Sequence, residues 1–276
     1  MRTLQQAIDK METRGGAGAS LRKHFAAVGI NEWKDVTRAA LYELRDHLED
    51  VVAPGTAKTI CAYAKSLFRR YEDEVDLPAG WSSILQVKGD ATRGTYLTPD
   101  ELKALEAVET RSDVERIVLV EALVEAYTGA RISDVMTFTE ENFKGGYLTY
   151  TSQKTRVTAT VPVSERTRGW IVYAQEHRGD EPTLMSRNRI IRRLCQRAGI
   201  DSPVKTRRGG VEKVTPKWEV VSSHTFRKSC ATNLVEAGAS LNDAKICLGH
   251  TSTAMTERYV VSTRPNLTEQ AMRYFL

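Results

Sequence analysis

Along roughly the first 79 residues, apolar positions recur at intervals of three and four, the spacing of helices that bury one stripe and wet the other. Ile60, Tyr63, Leu67 and Tyr71 form the clearest stripe, and Thr56, just after Pro54-Gly55, is expected to cap its helix. Leu21, Phe25 and Val28, then Leu41, Leu44 and Leu48, predict two or three more short helices upstream. Leu77-Pro78-Ala79-Gly80-Trp81 breaks the period, and the polar run from Gln86 to Thr95 reads as a linker. A new helix then opens at Thr98-Pro99-Asp100-Glu101, with Thr98 as N-cap, Pro99 at the first helical position and Glu101 closing a capping box. Val114 to Tyr127 is apolar at helical period and predicts a buried core helix. Residues 147–152 and 157–163 are rich in β-branched and aromatic types around a short polar turn that holds Lys154, which predicts a hairpin. Helices resume near Glu165. The expected class is mainly α with a small β-hairpin or sheet (α+β). It divides into a helical domain over residues 1–85, a linker over 86–95 and a second domain over 96–276.

Composition narrows the classes. At 276 residues, 41% hydrophobic and 27% charged, the chain is ordinary globular material with length for two domains. No run approaches the ~18 consecutive apolar residues of a membrane span, and Met1-Arg2-Thr3-Leu4-Gln5-Gln6 has no apolar stretch of signal type. Cys61, Cys195, Cys230 and Cys247 are scattered, with no C-x-x-C pair. Disulfides and a zinc site are therefore not expected, and a reducing cytoplasm is.

The net charge of +5 is weak evidence for a polyanionic partner, but its distribution says more. Between Pro182 and Cys230 stand twelve basic residues against three acidic ones, Asp201, Glu212 and Glu219. A solvated helix face mixes both signs, so this stretch reads as a surface that tracks phosphates. Arg187, Arg189, Arg192, Arg193, Lys205, Arg207, Arg208 and Lys228 are its candidate DNA contacts.

The C-terminal third holds the candidate chemistry. Ser222 or Ser223 caps a helix running to Gly238, and the spacing of three puts His224 and Arg227 on one face near its start. Helix-terminal amides there already favour a phosphate. Leu248-Gly249-His250 ends the next short helix, whose start at Ser240-Leu241-Asn242-Asp243 is again capped, and Tyr259 follows His250 by nine residues. Upstream, Thr128-Gly129-Ala130-Arg131-Ile132-Ser133-Asp134 closes the apolar helix and begins another. Singly, each has an ordinary reading: Arg131 as a surface ion-pair partner, Lys154 as a turn residue, Tyr259 as a packing tyrosine. His24, His47 and His177 are left with such readings, as surface or satisfied core histidines.

Together and in order, these motifs resemble the catalytic domain of the tyrosine recombinase, or phage integrase, family. That family is marked by T-G-x-R-x-x-D/E, a hairpin lysine, H-x-x-R, L-G-H and a later tyrosine. They stand here as Thr128-Gly129-Ala130-Arg131 with Asp134, Lys154, His224 with Arg227, Leu248-Gly249-His250, and Tyr259. The match covers roughly residues 96–262, and Met255-Thr256-Glu257-Arg258-Tyr259-Val260 looks most like integrases of phages and other mobile elements. The resemblance implies DNA cleavage with Tyr259 as nucleophile, a 3′-phosphotyrosyl intermediate and a free 5′-hydroxyl. Arg131, Arg227 and His250 would hold the phosphate, Lys154 would protonate the leaving oxygen, and His224 would assist proton transfer at the tyrosine. Asp134 would orient Arg131. Two permanent, bidentate guanidiniums suit a transition state that spreads negative charge over phosphate oxygens, so no metal or cofactor is implied.

Partners follow from the same resemblance: double-stranded recombination sites, a homotetramer on synapsed DNA but a monomer or weak oligomer without it, and an accessory DNA-bending protein. Residues 1–85 would be the core-binding domain, and residues 260–276, with Leu267, Met272, Tyr274 and Phe275, a tail exchanged between subunits. Against the pattern, no separate arm-binding domain is expected ahead of the core-binding region, and residues 201–220 read as a longer basic insert. Localisation is expected in the cytoplasm, at the nucleoid. The main uses are integration or excision of a mobile element, or Xer-like resolution of chromosome or plasmid dimers. A non-catalytic DNA-binding descendant would have no reason to hold every catalytic residue type. Against a type IB topoisomerase stand the Leu-Gly-His motif and the short tail.

Overall fold

A computed structural model of the chain describes residues 2–11, 16–87, 94–179, 182–208 and 211–261. Residues 88–93 of the expected linker and 262–276 of the expected tail lie outside the described residues. Two compact units divide the chain, Met1–Thr92 with Lys205–Lys213, and Arg93–Val204 with Val214–Leu276.

The first unit is helical: α1 (Leu4–Asp9), α2 (Ala17–Ala27), α3 (Arg38–Val51), α4 (Pro54–Tyr71) and α5 (Trp81–Ile84). Its core holds the predicted stripe residues Leu21, Phe25, Leu41, Leu44, Leu48, Ile60, Leu67 and Tyr71. Thr56 is not the cap of α4. The helix starts three residues earlier than that cap would place it, with Ala53 as N-cap and Pro54 in its first turn, where a missing N–H is harmless. His24 is buried and faces His47, Nδ1 to Nε2 at 3.2 Å.

In the second unit, α6 (Pro99–Glu106) begins with the predicted capping box, Glu101 N–H to Thr98 Oγ1 at 3.3 Å and Thr98 N–H to Glu101 Oε2 at 2.8 Å. Helix α7 (Asp113–Thr128) is apolar around most of its girth and is accordingly buried from Ile117 to Ala126. Each fully buried Val or Leu there stabilises the fold by roughly 1.5–3 kcal/mol. A short helix α8 (Ile132–Val135) follows, then strands β1 (Phe143–Lys144), β2 (Tyr147–Thr151) and β3 (Thr158–Pro162). These form an antiparallel sheet of order β1-β2-β3, with Tyr147 opposite Pro162 and Thr151 opposite Thr158. Leu148, Tyr150, Ala159 and Val161 point to the core, whereas Thr149–Thr160 and Thr151–Thr158 pair hydroxyls on the exposed face at 3.2 and 3.0 Å.

Helices α9 (Glu165–His177) and α10 (Leu184–Arg197) come next, followed by β4 (Pro203–Arg208) and β5 (Val211–Pro216). The last two form a second two-stranded sheet where the sequence had marked only a basic insert, and its segment Lys205–Lys213 is grouped with the first unit rather than the second. The unit continues with α11 (Lys217–Val220), α12 (Ser223–Glu236), α13 (Leu241–Leu248) and α14 (Thr253–Glu257). Helix α7 packs against α9, α10 and α12, so the elements bearing the motifs share one core. No helix among the described residues is long and apolar enough to cross a membrane.

Candidate active site

The turn from α7 to α8 is built for close approach. Gly129 caps α7 at φ +69°, and an added Cβ would lie 3.0 Å from Leu248 Cδ2 and 3.1 Å from Cys230 Sγ. The Thr128 hydroxyl braces the turn, donating to Val124 O at 2.6 Å and accepting from Ala130 N–H at 3.2 Å. Arg131 therefore leaves the core at a fixed point, half-buried, as the N-cap residue of α8. Its Nη1 donates to Ser152 Oγ at 3.0 Å; that hydroxyl donates to Asp134 Oδ2 at 3.0 Å, and Asp134 Oδ1 accepts from Gln153 N–H at 3.0 Å. Asp134 reaches Arg131 through a hydroxyl, and in doing so ties α8 to the end of β2. Ser152, 2% exposed just after the strand, had no motif to announce it.

Arg227 is the centre of the cluster. Helix α12 starts at the predicted place, with Ser222 N–H donating to Thr225 Oγ1 at 3.0 Å, and sets Arg227 one turn in, 1% exposed. The guanidinium donates to Gly129 O, to Leu248 O at 2.7 Å and to His250 Nε2 at 2.8 Å. Because arginine only donates, His250 Nε2 accepts, and its Nδ1 carries the proton given to Thr256 Oγ1 at 3.0 Å. Gly249, at φ +60°, turns the chain off α13 so that His250 falls beside Arg227. Thr256 is a second residue the motifs did not point to; it is fully buried in α14.

Tyr259 follows α14 in a turn closed by its own N–H to Thr256 O at 2.8 Å. The chain beyond is held by Thr232, whose Oγ1 donates to Tyr259 O at 3.3 Å and accepts from Val261 N–H at 3.1 Å. The ring lies between His224 and His250, centroids 4.9 and 4.8 Å away, with the Arg227 Cζ 5.5 Å from its own centroid. The aromatic ring is half-buried, packed against Ala231, Ala244 and Leu248.

The electrostatics agree with this crowding of cations. Burial first, then Arg227, Arg131 and His224, lower His250 to about 4. Partial burial first, then Lys228, Arg227, Arg131 and Lys154, lower His224 to about 4. His224 keeps solvent access, and its cationic neighbours oppose a further positive charge there. Both imidazoles are neutral at pH 7. Burial, then the Arg131 charge, also pull Arg227 below its ordinary value. Among the described residues, neither Arg131 nor Arg227 has a carboxylate within ion-pair distance. Lys154 sits exposed at the hairpin tip without hydrogen bonds among the described residues, yet near enough for its charge to act on His224.

The basic stretch divides. Arg187 is not a DNA-facing residue: it is 1% exposed and pairs with Glu121 at 2.5 Å, because it shares the inward stripe of α10 with Ile191, Leu194 and Cys195. Arg189, Arg192, Arg193 and Lys205 are exposed, Arg192 with its Nε donating to Val221 O at 3.1 Å. Lys228 is half-buried near Gly94, and burial lowers its pKa. The side chains of Arg207 and Arg208 lie outside the described residues.

Residues 95–264 match the Phage integrase family. The chain belongs to that family. It is 28% identical over 195 residues to Tyrosine recombinase XerA of Pyrococcus furiosus, covering 64% of this chain and 60% of that protein. It is 24% identical to a putative integrase of Pseudomonas phage Pf1 over 64% of this chain and 47% of the phage protein. The chain thus spans less than two thirds of the curated relatives it matches. A lambda integrase dimer bound to a COC' core site shares the fold, with TM-score 0.65 and 20% identity over 96% of this chain and 97% of that one. Membership makes the chain a member of the tyrosine recombinases and integrases, and a fold that is mostly helical with small antiparallel sheets is the family's own.

Proposed function

We propose that this chain cleaves and rejoins DNA strands at specific sites, with Tyr259 as nucleophile. The Tyr259 oxygen attacks the scissile phosphorus, forming a 3′-phosphotyrosyl bond while the bond from phosphorus to the 5′-oxygen breaks. His224, neutral at pH 7, takes the phenolic proton. Lys154 delivers a proton to the leaving 5′-oxygen. A 5′-hydroxyl from the partner strand then reverses the step, so the phosphodiester energy is kept in the covalent link. Arg131 and Arg227 balance the charge on the non-bridging oxygens, a contact of the kind whose removal costs about 2.7–4 kcal/mol of barrier. His250 adds a hydrogen bond to the phosphate, which requires its Nε2 to release Arg227 and take up a proton.

One observation carries this reading. Arg227 is a buried cation with no carboxylate in ion-pair contact among the described residues, set under the ring of the one tyrosine the motifs select. A buried charge costs far more than it returns unless an anion meets it, and a phosphodiester is the anion that family membership supplies. Residues 1–85 serve as the core-binding domain, residues 96–276 as the catalytic domain. Duplex recombination sites are the partner, and synapsis assembles four subunits through the tail over residues 260–276.

The use we favour is integration or excision of a mobile element, on the motif around Tyr259 and the similarity to a phage integrase. Xer-like dimer resolution is the second reading, on the similarity to XerA. The test is a nicked suicide substrate carrying the recombination site. Wild type should form a covalent adduct and Tyr259→Phe none. An adduct unchanged by that substitution refutes the nucleophile, and no adduct from either on a site the protein binds favours a binding-only descendant. Relaxation without two-site exchange would point to a topoisomerase.

A further inference from the structure

Thr232 is a polar side chain in the interior of helix α12, 0% exposed. A buried hydroxyl inside a helix commonly returns to the carbonyl four residues back. Ser229, three residues earlier on the same helix, does so, donating from Oγ to Thr225 O at 2.8 Å. Thr232 has one proton to give and gives it outside its helix, to Tyr259 O at 3.3 Å. The same oxygen accepts from Val261 N–H at 3.1 Å. One buried hydroxyl thus closes on the main chain at both sides of Val260, directly after the tyrosine.

On the other side of Tyr259, its N–H goes to Thr256 O at 2.8 Å, a bond inside the local turn that would move with α14. Thr232 belongs instead to the helix that carries His224 and Arg227. It stands eight residues after His224, about 12 Å along the axis at 1.5 Å per residue. The Tyr259 ring nevertheless lies 4.9 Å from the His224 ring. The tyrosine therefore runs back along α12, its carbonyl held at Thr232 and its ring beside His224.

Resting on the reading that Tyr259 is the nucleophile, we propose that Thr232 is a positioning residue that sets this nucleophile in the site of its own subunit. It acts as a hydroxyl clip, fixing where the tyrosine main chain crosses α12. The phenolic oxygen stands at the far end of a long side chain, so a small rotation of the main chain is magnified there. Tyr259 and Val261 are half-buried, so the segment can shift and be rehydrated once the clip is lost. Loss of the hydroxyl then costs position more than folding.

The experiment compares Thr232→Val and Thr232→Ser in single-turnover cleavage of the suicide substrate at saturating DNA. DNA affinity and hydrogen exchange at the Val261 amide are measured alongside. Valine keeps the branched shape and removes the hydroxyl. It should lower the rate constant by about 10²-fold, the size expected when a reacting group shifts by about 1 Å. Adduct yield and half-saturation by DNA should be unchanged, and the Val261 amide should exchange faster. Serine keeps the hydroxyl, so its rate constant should stay within about threefold of wild type. Thr232→Val cleaving like wild type overturns the proposal. Thr232→Ser losing as much as valine overturns it too, because then the methyl group and not the hydroxyl is needed. So does a lower yield at an unchanged rate constant, which marks a folding defect, or an unchanged Val261 exchange rate in Thr232→Val. If the valine variant does not fold, Thr232→Ala takes its place with the same expectations. Failure of wild type itself to form an adduct would instead strike the cleavage reading on which the proposal rests.

Discussion

Ser152→Ala tests the link between Arg131 and Asp134. Ser152 is 2% exposed, accepts from Arg131 Nη1 and donates to Asp134 Oδ2, each at 3.0 Å. Alanine removes one hydroxyl and breaks both bonds. Asp134, 1% exposed, keeps Gln153 N–H on Oδ1 but is left with a bare Oδ2. An unsatisfied buried acceptor costs about 1–3 kcal/mol. For a unit of this size that lowers Tm by roughly 2–12 °C. The catalytic effect is separate: Arg131 loses its only hydrogen-bond acceptor among the described residues, and its guanidinium is freed to drift. Single-turnover cleavage of a suicide substrate should therefore slow by up to about 10²-fold. Thermal unfolding and cleavage rate are measured on the same preparation, with Asp134→Asn and the double variant completing a cycle. Coupling of about 0.5–3 kcal/mol in stability is expected between the two positions. Additive effects, or a Ser152→Ala protein with unchanged Tm and rate, would refute the relay.

Three further outcomes follow from the geometry. His224 and His250 are held down to about 4 against an ordinary 6.5. The unfolded chain thus takes up protons first as acid is added. Their contribution to stability is full above about pH 6.5 and lost as pH falls toward 4; an imidazole titration by NMR with either ring protonating at 6.5 or above would contradict it. Gly129→Ala places a Cβ against Leu248 and Cys230 at φ +69°, so beyond the roughly 1–2 kcal/mol of the left-handed backbone it must displace core atoms. Its Tm should fall by several degrees, and an unchanged Tm would mean the turn is looser than described. Tyr259 stands beside the Arg227 of its own chain. A mixture of Tyr259→Phe and Arg227→Lys proteins should therefore form no adduct, whereas restored cleavage would mean the tyrosine serves a partner's site.

Much of the site could be read from the sequence, for physical reasons that also mark what was missed. Thr98-Pro99-Asp100-Glu101 and Ser240 with Asp243 are local capping chemistry, and both helices begin as their residues dictate. The strand pair with Lys154 at its tip follows from alternation alone. Gly129 and Gly249 signal backbone that only glycine adopts easily, which is why the motifs they sit in bend toward Arg227. Charge counting failed at Arg187 because it ignores direction. The period running through Arg187, Ile191, Leu194 and Cys195 held the answer. Ser152 was invisible for another reason: its partners Arg131 and Asp134 are distant in sequence, so no local spacing records it, and Thr256 meets His250 across the turn between α13 and α14. The pairing of β4 with β5 escaped notice because basic residues masked short alternating strands. Thr56 was a sound cap by type, but Pro54 fitted the first turn better.

The central claim is that Tyr259 becomes covalently joined to DNA. The most direct measurement traps the adduct on a nicked site, digests it with trypsin and nuclease, and sequences the modified peptide by mass spectrometry. The account predicts a nucleotide on the phenolic oxygen of the peptide beginning at Tyr259, after cleavage at Arg258, and its loss in Tyr259→Phe. A nucleotide on any other residue, or an adduct that persists in that variant, would contradict it.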